Sequence, residues 1–330
     1  MQHYSPNNPA GCQDRFRFDL NDSKIWNINE FIKFLIDNQG QVIDLEIPEG
    51  VALDSIGIYD LIDLFSFKSV TVRTFNVVQQ PHPTYKLNFH PMAFRYFNVS
   101  PDTDYSQYHT WSGKYTFGAF YNRPTWSRIG LAAYLHSQHR NKTMLNFRYN
   151  PADADLRNTF ELEQLFQLDP VSIEYFGQLI PALPLQVEPV DRYTIGVTTK
   201  EHTEQLSEFY PDFFIDIVSE TFVRGRCFYP TEKTVRPMLM KKPFIHMGPK
   251  CFLIHLRQMG FQTFHEFWSE DYDGYGMDQR YKHILKLIDT LAAKSKEELQ
   301  DMYACMQPIL EHNYQLLLTK QFTREITYVE

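Results

Sequence analysis

Helix-like and strand-like patterns alternate along most of this 330-residue chain, and this alternation restricts the fold more than any other feature. Apolar residues recur at helical spacing over residues 26–37, and residues 41–47 then have the pattern of a strand. A second helix and a second strand follow at residues 56–65 and 69–75. Because such alternation is typical of α/β proteins with parallel sheets, we expect a small α/β layer at the start of the chain.

The stretch from residue 79 to residue 113 interrupts this alternation. It is rich in His, Asn, Tyr and Asp, and Pro81, Pro83, Pro91 and Pro101 prevent long regular elements there. We interpret this stretch as the connection between two lobes, an N-terminal α/β lobe at residues 1–112 and a C-terminal lobe at residues 113–330.

The alternation resumes with a strand at residues 114–121, a helix at 126–139 and a strand at 142–149. In such a unit the loop after the first strand and the start of the helix lie at the carboxyl edge of a parallel sheet, where anions bind. Arg123 and Arg128 fall on that loop and on the first helical turn, which makes them candidate anion ligands. Solvated surface arginines are the alternative interpretation.

Further along the chain, residues 213–218 have the pattern of a buried strand that ends at Ser219 and Glu220. Another short strand is predicted at residues 243–247, ending close to Gly248. The remaining patterns predict helices at residues 231–239, 251–259, 278–292 and 296–322, the last of them kinked near Pro308.

Positive charge is concentrated in one part of an otherwise acidic sequence. The chain has a formal net charge of −8, yet residues 221–257 contain eight basic residues and one acidic residue, Glu232. We expect a field concentrated in this way to hold one anionic ligand rather than a generally polyanionic partner.

Several common classes are excluded by motif or composition. The sequence contains neither G-x-G-x-x-G nor a P-loop, and its four cysteines are too far apart for a disulfide framework or a zinc site. There is no apolar run of about 18 residues that could span a membrane. The first residues lack the basic start and apolar run of a signal peptide, so a cytoplasmic protein without a membrane partner is expected.

One motif resembles a known family of enzymes. Ser219-Glu220, the run Tyr229-Pro230-Thr231-Glu232-Lys233, and Pro243-Phe244-Ile245 with Gly248 resemble the donor-binding signature of the α-1,3-fucosyltransferase type of GT-B glycosyltransferase. A closer similarity, to phage and viral sequences labelled as glycosyltransferases, adds further matching stretches. These are Thr231–Thr234, Arg236-Pro237, Leu256-Arg257, Gly260–Phe264 and Glu270–Asp273.

The resemblance implies a GT-B-like fold of two Rossmann-like lobes with a C-terminal helical segment. It implies an acceptor-side lobe at residues 1–112 and a donor-binding lobe at residues 113–330, and a location in the host cytoplasm if the protein is viral. The implied activity is the transfer of a sugar from a UDP- or GDP-linked donor, as co-substrate, without a bound cofactor or metal.

Chemistry and resemblance together give the expected roles of the donor-binding residues. The leaving nucleoside diphosphate gains negative charge, and without a metal cationic side chains must stabilise it, a role that suits Lys233 and an arginine of the Arg123/Arg128 pair. By position in the resembled family, Glu232 contacts the ribose or sugar hydroxyls of the donor, Tyr229 lines the nucleotide pocket and Arg128 binds phosphate. The full predicted donor-binding set is Arg123, Arg128, Glu220, Tyr229, Thr231, Glu232, Lys233, Arg236 and Gly248. Glu220 departs from the family pattern, because Thr221-Phe222 replaces Asn-Ser after it.

The catalytic base is not identified by the motif. In the resembled family it comes from the N-terminal lobe, which leaves Asp44, Glu46, His90 and Asp102 as candidates by location alone.

The acceptor and the class of activity stay open. The acceptor is a glycan or a modified base in phage DNA, and the excess of acidic over basic residues before residue 113 disfavours extensive contact with DNA phosphates. A catalytically inactive nucleotide-sugar binding protein is an alternative. Another is a metal-dependent hydrolase that uses the acids at Glu270–Asp273, although we favour helix capping for these acids.

Overall fold

The computed structural model describes residues 15–17, 28–47, 50–89, 93–100, 104–149, 156–187 and 206–326. The chain divides into two compact units. Unit 1 comprises residues 1–95, 225–229 and 327–330, and unit 2 comprises residues 96–224 and 230–326. The first boundary therefore follows Arg95, whereas the sequence analysis places it after Ser112, and a short segment inside the basic region belongs to unit 1.

Unit 1 contains a four-stranded parallel sheet in the order β1-β2-β3-β4. Its strands are β1 (Arg15–Arg17), β2 (Val42–Ile47), β3 (Ser69–Thr74) and β4 (Tyr85–Phe89). Two helices precede β2 and β3, namely α1 (Ile28–Asp37) and α2 (Ile58–Asp63). These bounds confirm the two helices and two strands predicted before residue 76, apart from a few terminal residues, and residues 26 and 27 of the first predicted helix lie outside the described residues.

The core of unit 1 explains why these segments fold as they do. Every residue of β2 after Val42 is buried, as is usual for a strand covered on both faces, while α1 buries Phe31 and Leu35 on one stripe. Together with Ile58 and Ile62 of α2 they form one apolar cluster. The alternating pattern of the sequence therefore reflects burial against a parallel sheet.

A short strand, β4, lies within the stretch at residues 79–113, where the sequence predicts no long regular element. This short strand pairs in parallel with β3, from Val70↔Tyr85 to Thr74↔Phe89. Its sequence alternates apolar and polar residues, and Tyr85 and Leu87 pack against the core of unit 1 while the strand pairs with β3.

Residues 225–229 are held in unit 1 by a buried asparagine. Asn76 Nδ2 donates to the carbonyl oxygen of Arg226 at 3.1 Å, and Asn76 Oδ1 accepts from the backbone N–H of Phe228 at 2.8 Å. The ring of Tyr229 stacks on Phe75 with centroids 5.1 Å apart. This part of the Tyr-Pro-Thr-Glu-Lys run thus packs in a different unit from the part that follows it.

Unit 2 contains a second four-stranded parallel sheet, in the order β6-β5-β7-β8. Its strands are β5 (Tyr115–Tyr121), β6 (Thr143–Phe147), β7 (Phe213–Ser219) and β8 (Phe244–Met247). All seven residues of β7 are buried. The chain is therefore a mixed α/β protein with parallel sheets, as its alternating pattern predicts.

The helices of unit 2 follow the predicted order, with two additions. They are α3 (Trp126–His139), α4 (Leu156–Leu168), α5 (Ser172–Leu179), α6 (Glu232–Leu239), α7 (Phe252–Gln258), α8 (Met277–Ala292) and α9 (Lys296–Thr319). The sequence analysis does not predict α4 and α5, and both lie against α3 in the structure. Pro308 lies inside α9, which continues as one helix to Thr319.

Candidate functional site

The order of the strands in unit 2 creates a topological switch point between β5 and β7. The chain leaves β5 toward β6 on one side and returns to β7 on the other side, so the loops after β5 and β7 diverge. In open parallel sheets, ligands bind in the crevice outside the carboxyl ends of the strands at such a point. Side chains that follow Tyr121 and Ser219 therefore define the candidate site.

Arg128 joins the ends of these two strands. Its Nε and Nη2 atoms donate to the carbonyl oxygen of Ser219 at 3.3 and 3.1 Å, and its Nη1 donates to the carbonyl oxygen of Arg123 at 3.2 Å. Burial lowers the pKa of the Arg128 guanidinium, and the carboxylates of Glu220 and Glu232 act in the opposite direction. Arg128 is thus a buried positive charge at the site, whereas the side chain of Arg123 is exposed.

Glu220 is a buried carboxylate with a full set of partners at the end of β7. Its Oε1 accepts from the backbone N–H of Thr231 at 3.0 Å and from Thr234 Oγ1 at 2.6 Å. Its Oε2 accepts from Thr231 Oγ1 at 2.6 Å and from the backbone N–H of Thr221 at 3.1 Å. Glu220 is 1% exposed, so its role is to attach the first turn of α6 to the sheet. The two threonines of the Thr-Glu-Lys-Thr run serve the same attachment.

The network extends from Glu220 through Thr234 to His246 on β8. Since an ionised carboxylate only accepts, the Thr234 hydroxyl must donate to Glu220, and its oxygen is left to accept from His246 Nε2 at 3.1 Å. His246 therefore carries its proton on Nε2. A Cβ on Gly248 would lie 2.6 Å from His246 Nδ1, which explains the glycine at the end of β8.

Glu232 and Lys233 form a partly exposed ion pair at the start of α6. Lys233 Nζ lies 2.5 Å from Glu232 Oε1 and also donates to the hydroxyl oxygens of Thr221 and Thr231, each at 3.2 Å. Each side chain of the pair is 18% exposed. Burial would raise the pKa of Glu232, but the ammonium of Lys233 and then Arg236 lower it to about 2. The pair is charged and reachable, with Thr231 as the N-cap residue beneath it.

Arg236 is buried and bonds to a tyrosine in the core of unit 2. Its Nε donates to the Tyr210 hydroxyl oxygen at 2.6 Å, and the Tyr210 hydroxyl donates to Asp216 Oδ2 at 2.5 Å, all within the core of unit 2. Burial raises the pKa of Asp216 to about 6, against the effects of Arg236 and Tyr210. These contacts give Arg236 a structural role, and its contact with a donor stays a prediction.

Several of the basic residues at 221–257 are buried or paired with acids outside this segment. Lys242 is fully buried and donates to the carbonyl oxygen of Thr110 at 2.7 Å, and burial lowers its pKa to about 7. Lys241 pairs with Glu311, and Arg257 pairs with Glu270. Basic residues that are close in sequence thus have different partners. Lys233 is the member of the segment that contacts Thr231 and Glu232.

Of the acids at Glu270–Asp273, Asp273 caps a helix, as favoured from the sequence, while Glu270 is buried and Asp271 is exposed. Asp273 accepts from the backbone N–H groups of Leu253 and Ile254 at the start of α7, at 3.0 and 3.2 Å, while Glu270 accepts from Thr263 Oγ1 at 2.6 Å. The helix that Asp273 caps is α7 rather than the one it precedes. Among the described residues no group of three or more His, Cys, Asp or Glu could hold a metal ion.

The four candidates for a catalytic base have different outcomes. Asp44 accepts from Arg73 through both carboxylate oxygens, at 3.1 to 3.2 Å, and is buried in β2. Glu46, two residues further along β2, is buried as well. His90 and Asp102 lie outside the described residues.

Sequence reasoning missed the contribution of His246. The pairing of β8 with β7 brings His246 to this network, because His246 is paired with Val218, two residues before Glu220. A sequence pattern does not give the register between two parallel strands that are joined by a helical connection.

Comparison of the chain with protein-family models, curated proteins and solved structures finds no match. Within the part of the chain that the structure describes, no helix combines the length and apolar character needed to cross a membrane.

Proposed function

We propose that this protein is a GT-B-like glycosyltransferase whose unit 2 binds a nucleotide sugar. The observation that carries the proposal is the charged pair of Glu232 and Lys233, held at the switch point of a parallel sheet. This position and the sequence resemblance support the same ligand class, because a nucleoside diphosphate offers phosphates to a cation and hydroxyls to a carboxylate.

In the proposed reaction an acceptor hydroxyl forms a bond to the anomeric carbon of the sugar while the bond to the donor phosphate breaks. The electron pair of that bond leaves with the nucleoside diphosphate, and the proton of the acceptor hydroxyl passes to a base. Lys233, with Arg123 beside the β5 loop, would stabilise the charge that develops on the leaving phosphate. Glu232 would accept hydrogen bonds from hydroxyls of the donor.

Thermal unfolding in the presence of UDP, GDP, CMP or ADP tests this proposal. A ligand at about 100 times its Kd adds roughly 2.7 kcal/mol to the free energy of unfolding, which raises the midpoint by several degrees. We expect UDP or GDP to stabilise the wild type and to have little effect on Lys233→Met. Each variant is compared with its own midpoint without nucleotide.

Lys286→Ala is the matched control, because Lys286 is an exposed cation on α8 and its removal changes the net charge equally. This variant should respond to nucleotide as the wild type does. The proposal is wrong if no nucleotide stabilises the wild type, or if Lys233→Met responds as strongly as Lys286→Ala.

A further inference from the structure

A second candidate site in unit 2 is a pocket at the amino ends of the strands, opposite to the carboxyl ends described above. It is a pocket of about 260 Å³ next to Tyr115 and Thr143, the first residues of β5 and β6, and therefore at the amino ends of the strands. Leu145, Leu185 and Val187 provide aliphatic walls. Residues 185–187 reach the pocket because Leu185 forms an antiparallel bridge to Phe147 of β6. The pocket is thus separate from the ends of β5 and β7 where Lys233 lies.

His136 lines this pocket with polar atoms that no neighbour satisfies. Both of its ring nitrogens are buried, and neither has a hydrogen-bond partner in the described part of the chain. Such unpaired buried polar atoms are rare in native proteins and call for an additional partner. Burial lowers the pKa of His136, with a smaller effect from Arg140, so its ring is neutral near pH 7 and offers one donor and one acceptor.

Arg140 adds a cation to the same pocket. Arg140 is exposed and lies in the turn that follows α3. The described residues provide no ion-pair partner for its guanidinium. A guanidinium beside aliphatic walls matches a ligand with an anionic end and an apolar body. Carboxylate is the anion that binds a guanidinium through two parallel hydrogen bonds.

We propose that this pocket binds a small organic carboxylate, with its carboxylate on Arg140 and its body between His136 and the aliphatic walls. Since a cavity of roughly 150 Å³ accommodates benzene, the present volume suits a molecule of roughly ten to twelve non-hydrogen atoms. The assignment does not depend on the proposed transfer of sugar, because none of its residues belongs to the donor-binding set.

Ligand-observed NMR titration with 4-phenylbutyrate tests the assignment on the full-length protein. We expect saturable binding to the wild type at millimolar concentration, and weaker binding of the neutral analogue 4-phenylbutyramide by roughly tenfold. Arg140→Gln should weaken the binding of 4-phenylbutyrate to a similar extent, and His136→Phe should weaken it while keeping a ring of similar size. Lys282→Gln, which removes an exposed cation on α8, should leave it unchanged.

Leu145→Trp fills the pocket and should abolish binding, with no change in the stabilisation of the protein by UDP or GDP. The inference is wrong if 4-phenylbutyrate does not bind the wild type, or if Leu145→Trp binds it as well as the wild type does. Equal binding of the carboxylate and the amide would contradict the role of Arg140. These outcomes are separable from the nucleotide test, because each experiment uses its own ligand and its own variants.

Discussion

Replacement of Glu220 by glutamine tests whether this residue attaches α6 to the sheet. Each carboxylate oxygen accepts from one backbone N–H group, that of Thr231 on Oε1 and that of Thr221 on Oε2. In Glu220→Gln one oxygen becomes an amide NH₂, and in either orientation it faces a backbone N–H that cannot turn away. The variant therefore loses at least one charge-assisted hydrogen bond and brings two donors together.

The cost can be estimated from these contacts. A hydrogen bond to a charged group contributes about 1.5 to 3 kcal/mol, and an unsatisfied buried donor adds to the loss. We expect Glu220→Gln to lower the free energy of unfolding by about 2 to 4 kcal/mol. The change is large because Glu220 is 1% exposed and water cannot replace the lost partner.

Urea denaturation followed by tryptophan fluorescence measures this cost. Trp111, Trp126 and Trp268 all belong to unit 2, so the signal reports mainly on the unit that contains Glu220. The matched control is Glu266→Gln at an exposed position, where a change within about 0.5 kcal/mol is expected. If Glu220→Gln is no more destabilising than this control, Glu220 does not hold α6 in place.

Two further predictions concern the residues beside this network. Gly248→Ala places a methyl group 2.6 Å from His246 Nδ1 and should destabilise the protein by about 1 to 3 kcal/mol, whereas Gly177→Ala in α5, with nothing within 4 Å, should be neutral or stabilising. Thermal unfolding of the two variants compares them, and equal midpoints would contradict the crowding at Gly248. Burial, and to a smaller extent Arg280, lowers the pKa of His246 from 6.5 to about 3. Below pH 6.5 the unfolded chain binds a proton there that the native state does not, so stability should decrease toward pH 3 by about 1.4 kcal/mol per unit from this group. Urea denaturation at several pH values in this range gives the free energy of unfolding as a function of pH. This free energy should decrease less per pH unit for His246→Asn than for the wild type, and an equal decrease would contradict the assignment.

Much of the secondary structure could be predicted because burial leaves a local signal. All seven residues of β7 are buried, so most of the strand is apolar, and Asp216 is the one charged residue within the predicted range 213–218. The helix α3 begins and ends at the predicted residues. In contrast, β4 is a strand of only five residues between prolines, so its short alternating pattern was not singled out from the sequence.

The candidate site was only partly predictable. The Thr231-Glu232-Lys233 run was singled out from the sequence, and the structure places it next to Glu220 and at the end of β7. The sequence did not reveal that Glu220 has four internal hydrogen bonds, because two of its partners lie more than ten residues away along the chain. Nor did it reveal that His246 belongs to the same network.

By itself, the sequence determined the alternation of helices and strands and the types of charged residue available after β5 and β7. Periodic burial and local capping act over a few residues, so they leave their record in the order of the amino acids. Only the tertiary structure decided which of the basic residues share one edge of the sheet. Lys233 and Arg236 are three residues apart, yet the ammonium of one contacts Glu232 and the guanidinium of the other contacts Tyr210 in the core. That separation depends on how α6 packs against β7, which residue order does not specify.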